Sequence, residues 1–340
     1  MLRAGATDDI ADVLHRSDTT RPVDVLIVAR LNDVHALSVA RRIEDRGGRT
    51  LILDAADYPS IWQLTTRYER GCIARNVTSR GREVDLSQLR GIWYRRFYGA
   101  GHAPAIADEA VRGFVADECR DYLQGFLASL SNVINIPANE WQANRKAYQL
   151  ACALEVGLEI PETCITTEPE VIRPFVDSLD GGAIYKCLTS TPFQFTETRR
   201  IGSEEWVHIQ HARVAPTIFQ KRIEADHHLR ITVVDDAMFA TKLTTSHPAG
   251  DNDWRLDQTR TLEPTETAPK LRAGIHALMR KLGLRYGALD FIVDKNGTTF
   301  FLENNPGGQF LFVEIHAELP ISAALADSLL GCRDLAKFGS

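Results

Sequence analysis

The residues best suited to chemistry lie near the end of the chain, in Glu303-Asn304-Asn305-Pro306-Gly307-Gly308-Gln309. Glu303 and Asn305 are two apart, so on an extended backbone both side chains leave the same side. Just upstream, residues 288–293 read as a strand that contains Asp290. The turn Lys295-Asn296-Gly297 follows, and a second strand over 298–302 runs straight into the motif. Across such a hairpin Asp290 can face the motif. Two carboxylates and an amide carbonyl make an all-oxygen set. That suits Mg²⁺, which takes few protein ligands and leaves positions for phosphate oxygens and water. The plain alternative is an acidic hairpin end facing solvent, and Glu-x-Asn-Pro alone is a weak signal.

Other candidates are cations. Lys186 ends an apolar run over 183–186 read as a strand, and from a strand end it can reach inward as a point charge. Lys146 lies on a helix predicted over 141–156 and stopped by Gly157; taken alone it is an ordinary solvated helix lysine. Arg95 and Arg96 close a strand over 91–96. They can bind an acidic peptide or make structural ion pairs, and the structural reading is preferred. His208 and His211 form an H-x-x-H and His227-His228 a pair, but no third ligand has a suitable spacing for zinc.

The elements that must position these groups alternate. Residues 23–29 form a buried-strand run, Asp33 caps a helix with Leu37, Ala40 and Ile43 on its apolar face, and Gly47-Gly48 ends it before a strand over 50–53. This β-α-β opening has Arg30-Leu31-Asn32-Asp33 where a dinucleotide fold carries its glycines. A hairpin is read over 72–86, and a long amphipathic helix over 107–130. Further expectations are a strand over 164–167, a helix over 169–179, strands over 217–223, 229–234 and 238–243, a loop over 247–267, and helices over 269–282 and 321–330. The fold class is α/β.

The 340 residues are 44% hydrophobic, enough for two or three packed units, and the net charge of −6 leaves no electrostatic footprint for nucleic acid. No apolar run is long enough to span a bilayer. Residues 1–20 carry Asp8, Asp9 and Asp12 and no apolar core, so no export signal is expected. The six cysteines include no C-x-x-C pair, which argues against a zinc or disulfide framework and fits a reducing cytoplasm.

Several motifs then follow in a familiar order. They are Trp93-Tyr94-Arg95-Arg96, Asn135-Ile136-Pro137, Ala143-Asn144-Arg145-Lys146 with Gln149-Leu150, and Gly157-Leu158 with Ile160-Pro161 and Thr163. Next come Tyr185-Lys186, Phe219-Gln220, Leu229-Arg230, Asp253-Trp254-Arg255, and the Glu303 motif. Over residues 23–330 the chain resembles the ATP-grasp ligases, and within them the ribosomal-peptide maturases of the microviridin type, which make graspetides. It departs from that pattern at Phe97, where proline is usual, at Phe310, where tryptophan often stands, and in the loop over 189–198, which lacks phosphate-loop glycines.

The resemblance implies an ATP-grasp fold behind a pre-ATP-grasp α/β domain: an arm over 1–21, an N-terminal domain over 22–132, a central subdomain over 133–215 and a C-terminal subdomain over 216–335. It implies ATP and Mg²⁺. Lys146 and Lys186 would contact phosphates, and Gln220, Lys221 and Arg222 would form the adenine hinge. Glu224 or Asp226 would hold the ribose, and Asp290, Glu303 and Asn305 the metal. Arg230 would clamp the transferring phosphate and Arg255 the substrate carboxylate. The implied partner is a precursor peptide with a leader segment; Arg95, Arg96, Arg199, Arg200 and the loop over 189–198 are candidate grips for an acidic peptide; neither nucleic acid nor membrane is implied, and a homodimer is left open. The implied reaction joins Asp or Glu side chains to Thr, Ser or Lys side chains through acyl phosphates. The alternatives are a ligase adding a free amino acid to a peptide or metabolite, and a silent peptide-binding protein.

Overall fold

The structure, a computed structural model, describes residues 22–79, 81–96, 106–189, 198–245, 254, 257 and 259–331. The arm over 1–21, Phe97, Arg255 and most of the loop over 189–198 lie outside the described residues. The chain divides into two units, residues 1–138 with 322–340, and residues 139–321. Among the described residues no helix is long and apolar enough to cross a membrane.

The first unit opens with β1 (Val25–Val28), α1 (Val34–Glu44) and β2 (Thr50–Leu53). Asp33 starts α1 by accepting from the amides of His35 and Ala36 at 2.9 and 3.0 Å, which satisfies two of the helix's orphan donors. Strands β3 (Trp62–Glu69), β4 (Cys72–Ser79) and β5 (Arg82–Asp85) form a separate antiparallel sheet, and β3 extends the predicted hairpin by one strand. Then come β6 (Gly91–Tyr94), α2 (Glu109–Ala128) and β7 (Val133–Ile134). The order β2-β1-β6-β7 is parallel throughout. Such strands are covered on both faces, so β1 and β6 read as continuous apolar runs and every residue in them is buried. The predicted stripe of α2 is buried at Leu123, Phe126 and Leu127, while Val111 and Phe114 are exposed.

Helix α3 (Pro137–Ala143) carries the chain into the second unit at Asn139, and α4 (Lys146–Glu155) follows. The helix predicted as one piece over 141–156 is therefore two, broken at Asn144-Arg145, and Lys146 is the first residue of the second. Strand β8 (Thr163–Thr166), α5 (Pro169–Asp177), β9 (Ala183–Lys186), β10 (Arg199–Arg200), a 3-10 stretch over Glu205–Arg213 and β11 (Thr217–Lys221) follow. Their strands form a four-stranded sheet in the order β10-β9-β11-β8, so this sheet runs on to Lys221, past the expected boundary at 215.

A five-stranded antiparallel sheet carries the rest. It comprises β12 (Ala225–Val234), β13 (Ala237–Thr244), β14 (Thr261–Thr265), β15 (Tyr286–Asp294) and β16 (Thr299–Asn305), in the order β14-β13-β12-β15-β16. Strand β14 stands where a loop was expected over 247–267. It is an edge strand with Pro264, exposed over most of its length, so neither alternation nor apolar content announces it. Helix α6 (Pro269–Leu282) ends at Gly283, whose φ of 65° is the left-handed conformation that closes a helix. A short helix α7 (Leu311–Ala317) follows β16, and α8 (Ile321–Leu329) returns the chain to the first unit from Ser322 onward.

One face of the five-stranded sheet is core. Ile231, Val233, Leu289, Phe291 and Phe301 pack with Leu150, Cys152 and Ala153 of α4 and Ile275, Leu278, Met279 and Leu282 of α6. Each buried Ile, Leu, Val, Met or Phe among them contributes about 1.5–3 kcal/mol of burial. The other face of the same strands presents Arg230, Asp290, Glu303 and Asn305. In the β15–β16 ladder Asp290 pairs with Glu303 but Phe291 pairs with Phe301, so Leu302 is an extra residue on β16.

Candidate active site

Three strands bring the charged face together. Arg230 of β12 is the register partner of Asp290 on β15, and Asp290 is the partner of Glu303 on β16. Directly opposed residues in antiparallel strands share a face, so guanidinium and both carboxylates form one row across the sheet. Arg230 Nη1 donates to Asp290 Oδ2 at 2.8 Å, with the two side chains only 6% and 13% exposed. Arg230 Nη2 also donates to the carbonyl of Gln309 at 3.2 Å, and Tyr286 Oη donates to the carbonyl of Gly308 at 2.7 Å. These bonds fold the Pro306–Gln309 turn back over the start of β15. Gly308 has no room for a side chain, because a Cβ there would lie 2.4 Å from Ala288 Cβ and 3.0 Å from Arg230 Nη2.

The lysines arrive from other elements. Lys146, at the start of α4, places Nζ 3.2 Å from Glu303 Oε2 and 3.4 Å from the carbonyl of Cys187, just past the end of β9. Lys186, the last residue of β9, donates to Gln220 Oε1 at 3.0 Å, and Gln220 Nε2 donates to Thr163 Oγ1 at 2.8 Å. Gln220 is fully buried, so its amide is fixed at both ends. Lys146 thus stands between the end of β9 and the carboxylate row.

The segment from Lys221 to Asp226 links the two sheets. Lys221 is tied to Glu162 through a backbone bond of 2.8 Å and an ion pair of 3.1 Å. The amide of Arg222 donates to the carbonyl of Gly182 at 2.9 Å. Glu224 lies between Lys295 at 3.1 Å and Arg222 at 3.7 Å, and these cations hold its carboxyl below the usual range, Lys295 foremost. Asp226 is 2.7 Å from His227 Nδ1, and that hydrogen bond lowers its pKa. Both carboxylates are exposed at the same link, so either can meet a sugar hydroxyl.

The described residues bring together Lys146, Lys186, Gln220, Arg230, Asp290 and Glu303, with Asn305 two residues beyond Glu303 on the same strand. Trp254, from Asp253-Trp254-Arg255, stacks on Phe312 of α7 at 5.7 Å and lies under Arg260 at 5.1 Å. In the first unit Arg95 is fully buried, with Nε 3.8 Å from Asp33 Oδ2, which matches the structural reading of this arginine. Burial, helped by Arg95 and Arg96 and opposed by Asp33, pushes the pKa of His35 down to about 4. His208 and His211 stack at 5.4 Å, and no cluster of three or more His, Cys, Asp or Glu suited to a metal occurs among the described residues.

The oxygen set of Asp290, Glu303 and Asn305 fits Mg²⁺ in donor type and in charge. Beside it the backbone passes closely at Gly308, where a Cβ would meet Ala288, Arg230 and the carbonyl of Asn305. The sequence motifs contain Thr163 and Gly308 but gave neither of them a role. Thr163 acts through a side-chain chain that only tertiary structure assembles. Gly308 was visible only as one of a glycine pair.

A family model described as the MvdD pre-ATP grasp domain matches residues 24–141. Among curated proteins no match is found. Among solved structures the chain is similar to a Chryseobacterium gregarium RiPP-associated ATP-grasp ligase in complex with ADP and a leader and core peptide. The TM-score is 0.82 and the identity 26%, over 91% of this chain and 97% of that one. It is similar also to the macrocyclase MdnC of Microcystis aeruginosa MRC bound with the precursor peptide MdnA, with a TM-score of 0.79 and 27% identity over 91% and 99% of the two chains. The macrocyclase MdnB of the same organism gives 0.76 and 28% over 91% and 99%.

Proposed function

We infer that this chain, an ATP-grasp ligase with a pre-ATP-grasp domain of the MvdD kind, uses ATP to join Asp or Glu side chains of a precursor peptide to Thr, Ser or Lys side chains of the same peptide. The main support is the row Arg230–Asp290–Glu303 with Lys146 beside it, on a fold shared over 91% of the chain with peptide-bound ligases. The partner in this reading is a peptide with leader and core segments. The five described cysteines are free, in keeping with work in a reducing cytoplasm.

In this reading a peptide carboxylate oxygen attacks the γ-phosphorus of ATP, the bond to the β–γ bridging oxygen breaks, and ADP leaves. A hydroxyl or amine then attacks the acyl carbon, phosphate departs, and the nucleophile's proton passes to solvent. Positioning and charge stabilisation are the protein's part. Lys146 and Lys186 face the phosphates as point charges, Lys186 held in place by Gln220. The segment Gln220-Lys221-Arg222 borders the adenine edge, with the amides of Lys221 and Arg222 already spent on Glu162 and Gly182, and Glu224 or Asp226 takes the ribose. Arg230 is assigned to the transferring phosphoryl group, and Arg255, outside the described residues, is assigned to the peptide carboxylate by its motif. Asp290, Glu303 and Asn305 would hold Mg²⁺, which when bound supplies charge neutralisation to the phosphate oxygens.

The test is mass spectrometry of a cognate precursor peptide, encoded by a neighbouring short gene with repeated Thr and Glu or Asp, after incubation with enzyme, ATP and Mg²⁺. Each bond should lower the peptide's mass by one water, with ADP and phosphate as co-products. A product heavier by an amino-acid residue, or AMP with pyrophosphate, overturns the reading.

A further inference from the structure

Strand β16 is the edge of its sheet, so among the described residues one side of its backbone meets only an isolated bridge, Glu159 to Phe300, and no neighbouring strand. A buried edge must still satisfy its N–H and C=O groups. Two devices do this here. The amide of Phe301 donates to the carbonyl of Glu159 at 2.8 Å. At Asn304, between Glu303 and Asn305, the partner is a side chain. Gln149 Oε1 accepts from the amide of Asn304 at 2.7 Å, and Gln149 Nε2 donates to the carbonyl of Asn304, also at 2.7 Å. One primary amide therefore does for this residue what a whole strand would do.

The second proton of Gln149 Nε2 goes to the carbonyl of Ala143, at the break between α3 and α4. Gln149 is 2% exposed, so it gains little from water and all three of its hydrogen bonds are internal. It lies three residues after Lys146 on α4, hence on the same side of that helix. Lys146 reaches Glu303 itself. The Asn304 side chain points into the core, with Nδ2 3.8 Å from Met279 Sδ. It passes so close to Gly287 that a Cβ there would lie 2.5 Å from Asn304 Oδ1. Asn304 is thus pinned by backbone and side chain, with a metal-ligand candidate on either side.

We propose that Gln149 is a positioning residue for the Mg²⁺ site: its amide clamps the Asn304 peptide groups, and so sets the direction in which Glu303 and Asn305 present their oxygens. It touches neither metal nor substrate. The inference rests on the assignment of Glu303 and Asn305 as metal ligands. Without the clamp the end of β16 loses, among the described residues, its partner on the open side at Asn304. The two oxygens then sample a wider range, and the metal binds more weakly.

The experiment uses the full chain and binding rather than turnover. Mg²⁺ is titrated calorimetrically into enzyme saturated with ADP, for the wild type, Gln149→Met, Gln149→Glu and Cys152→Ala. Methionine keeps the length and removes all three bonds, whereas glutamate keeps the acceptor for the Asn304 amide and loses the donors. Cys152→Ala opens a core gap on the same helix and controls for general destabilisation; each folded state is checked by circular dichroism. The Mg²⁺ dissociation constant should rise about tenfold or more in Gln149→Met, less in Gln149→Glu, and stay unchanged in Cys152→Ala. A folded Gln149→Met or Gln149→Glu protein with wild-type Mg²⁺ affinity overturns the proposal, as does an equal loss in Cys152→Ala. Wild-type enzyme that binds no Mg²⁺ in the presence of ADP overturns the metal assignment along with it. Failure of peptide ligation alone overturns the ligase reading and leaves this result standing.

Discussion

Asp290 and Glu303 stand directly opposite each other on β15 and β16, at the last regular pair before the ladder takes in an extra residue. Each carboxylate has its own cation, Arg230 at 2.8 Å for Asp290 and Lys146 at 3.2 Å for Glu303. The two ion pairs differ in burial. The Arg230–Asp290 pair is nearly dry, whereas Lys146 and Glu303 are each about a quarter exposed. Stability should therefore depend on the first pair and chemistry should show most clearly at the second.

Glu303→Gln keeps the side-chain shape and removes the charge. Peptide-stimulated ATP turnover should fall by about 10²-fold or more. The melting temperature should move little, because partly exposed ion pairs contribute only about 0–1 kcal/mol. A coupled assay of ADP release alongside thermal melting checks both halves.

Arg230→Met leaves the Asp290 carboxylate buried without its cation. The expected loss of unfolding free energy is about 3–5 kcal/mol. Adding Asp290→Asn should return part of that loss, since no charge then remains to be buried. Urea unfolding of the two single variants and the double variant reads the coupling directly.

Gln220→Leu removes the acceptor that holds Lys186. Nucleotide affinity should fall toward that of Lys186→Ala, by up to about tenfold, the scale of one lost hydrogen bond to a charged group. Calorimetry with ADP separates this from a folding defect.

His35 ties stability to pH. Its folded-state pKa of about 4 lies below the ordinary 6.5, because burial comes first and Arg95 adds to it. The unfolded chain therefore binds the proton more readily. The contribution is fully present above about pH 6.5 and is lost progressively as pH falls toward about 4. At 1.36 kcal/mol per unit that amounts to about 3 kcal/mol. His35→Gln should flatten the stability profile across this window, as measured by denaturant unfolding at successive pH values.

Strong periodicity and punctuation made some elements legible from sequence alone. Helix α6 shows its three-four spacing and closes on Gly283, and the β15–β16 hairpin is announced by Lys295-Asn296-Gly297. Elements whose residues are half exposed were not legible. Strand β3 reads Trp-Gln-Leu-Thr-Thr-Arg-Tyr-Glu and is exposed over much of its second half, so hydrophobic alternation fades along it. The break at Asn144-Arg145 was hidden because the residues on either side are good helix formers; a carbonyl–amide bond from Gln149 supports it. The facing of Asp290 and Glu303 could be anticipated from strand alternation and hairpin spacing. The clamp on Asn304 could not, since its partner is 155 residues away. The available hint was an amide on the buried side of α4, where Leu150 and Ala153 are apolar.

The additional residue at Leu302 works on β16 as a frameshift works on a message. Phe301 and Glu303 are two apart, and in an unbroken strand they would share a face. Here Phe301 is wholly inside the core, while Glu303 meets Lys146 on the other side of the sheet. The parity of the strand is reset between them, so that an aromatic anchor and the carboxylate paired with Lys146, although of the same parity, end up back to back. The consequence concerns which changes this segment can absorb. Exchanging Leu302 for another apolar residue keeps the count and hence the frame. Deleting it makes Phe301 and Glu303 consecutive, which a regular ladder already places on opposite faces; keeping Leu302 but drawing it into regular pairing would instead seat Glu303 opposite Leu289, on the core side, so the bulge is as much a functional trait as the residues it separates.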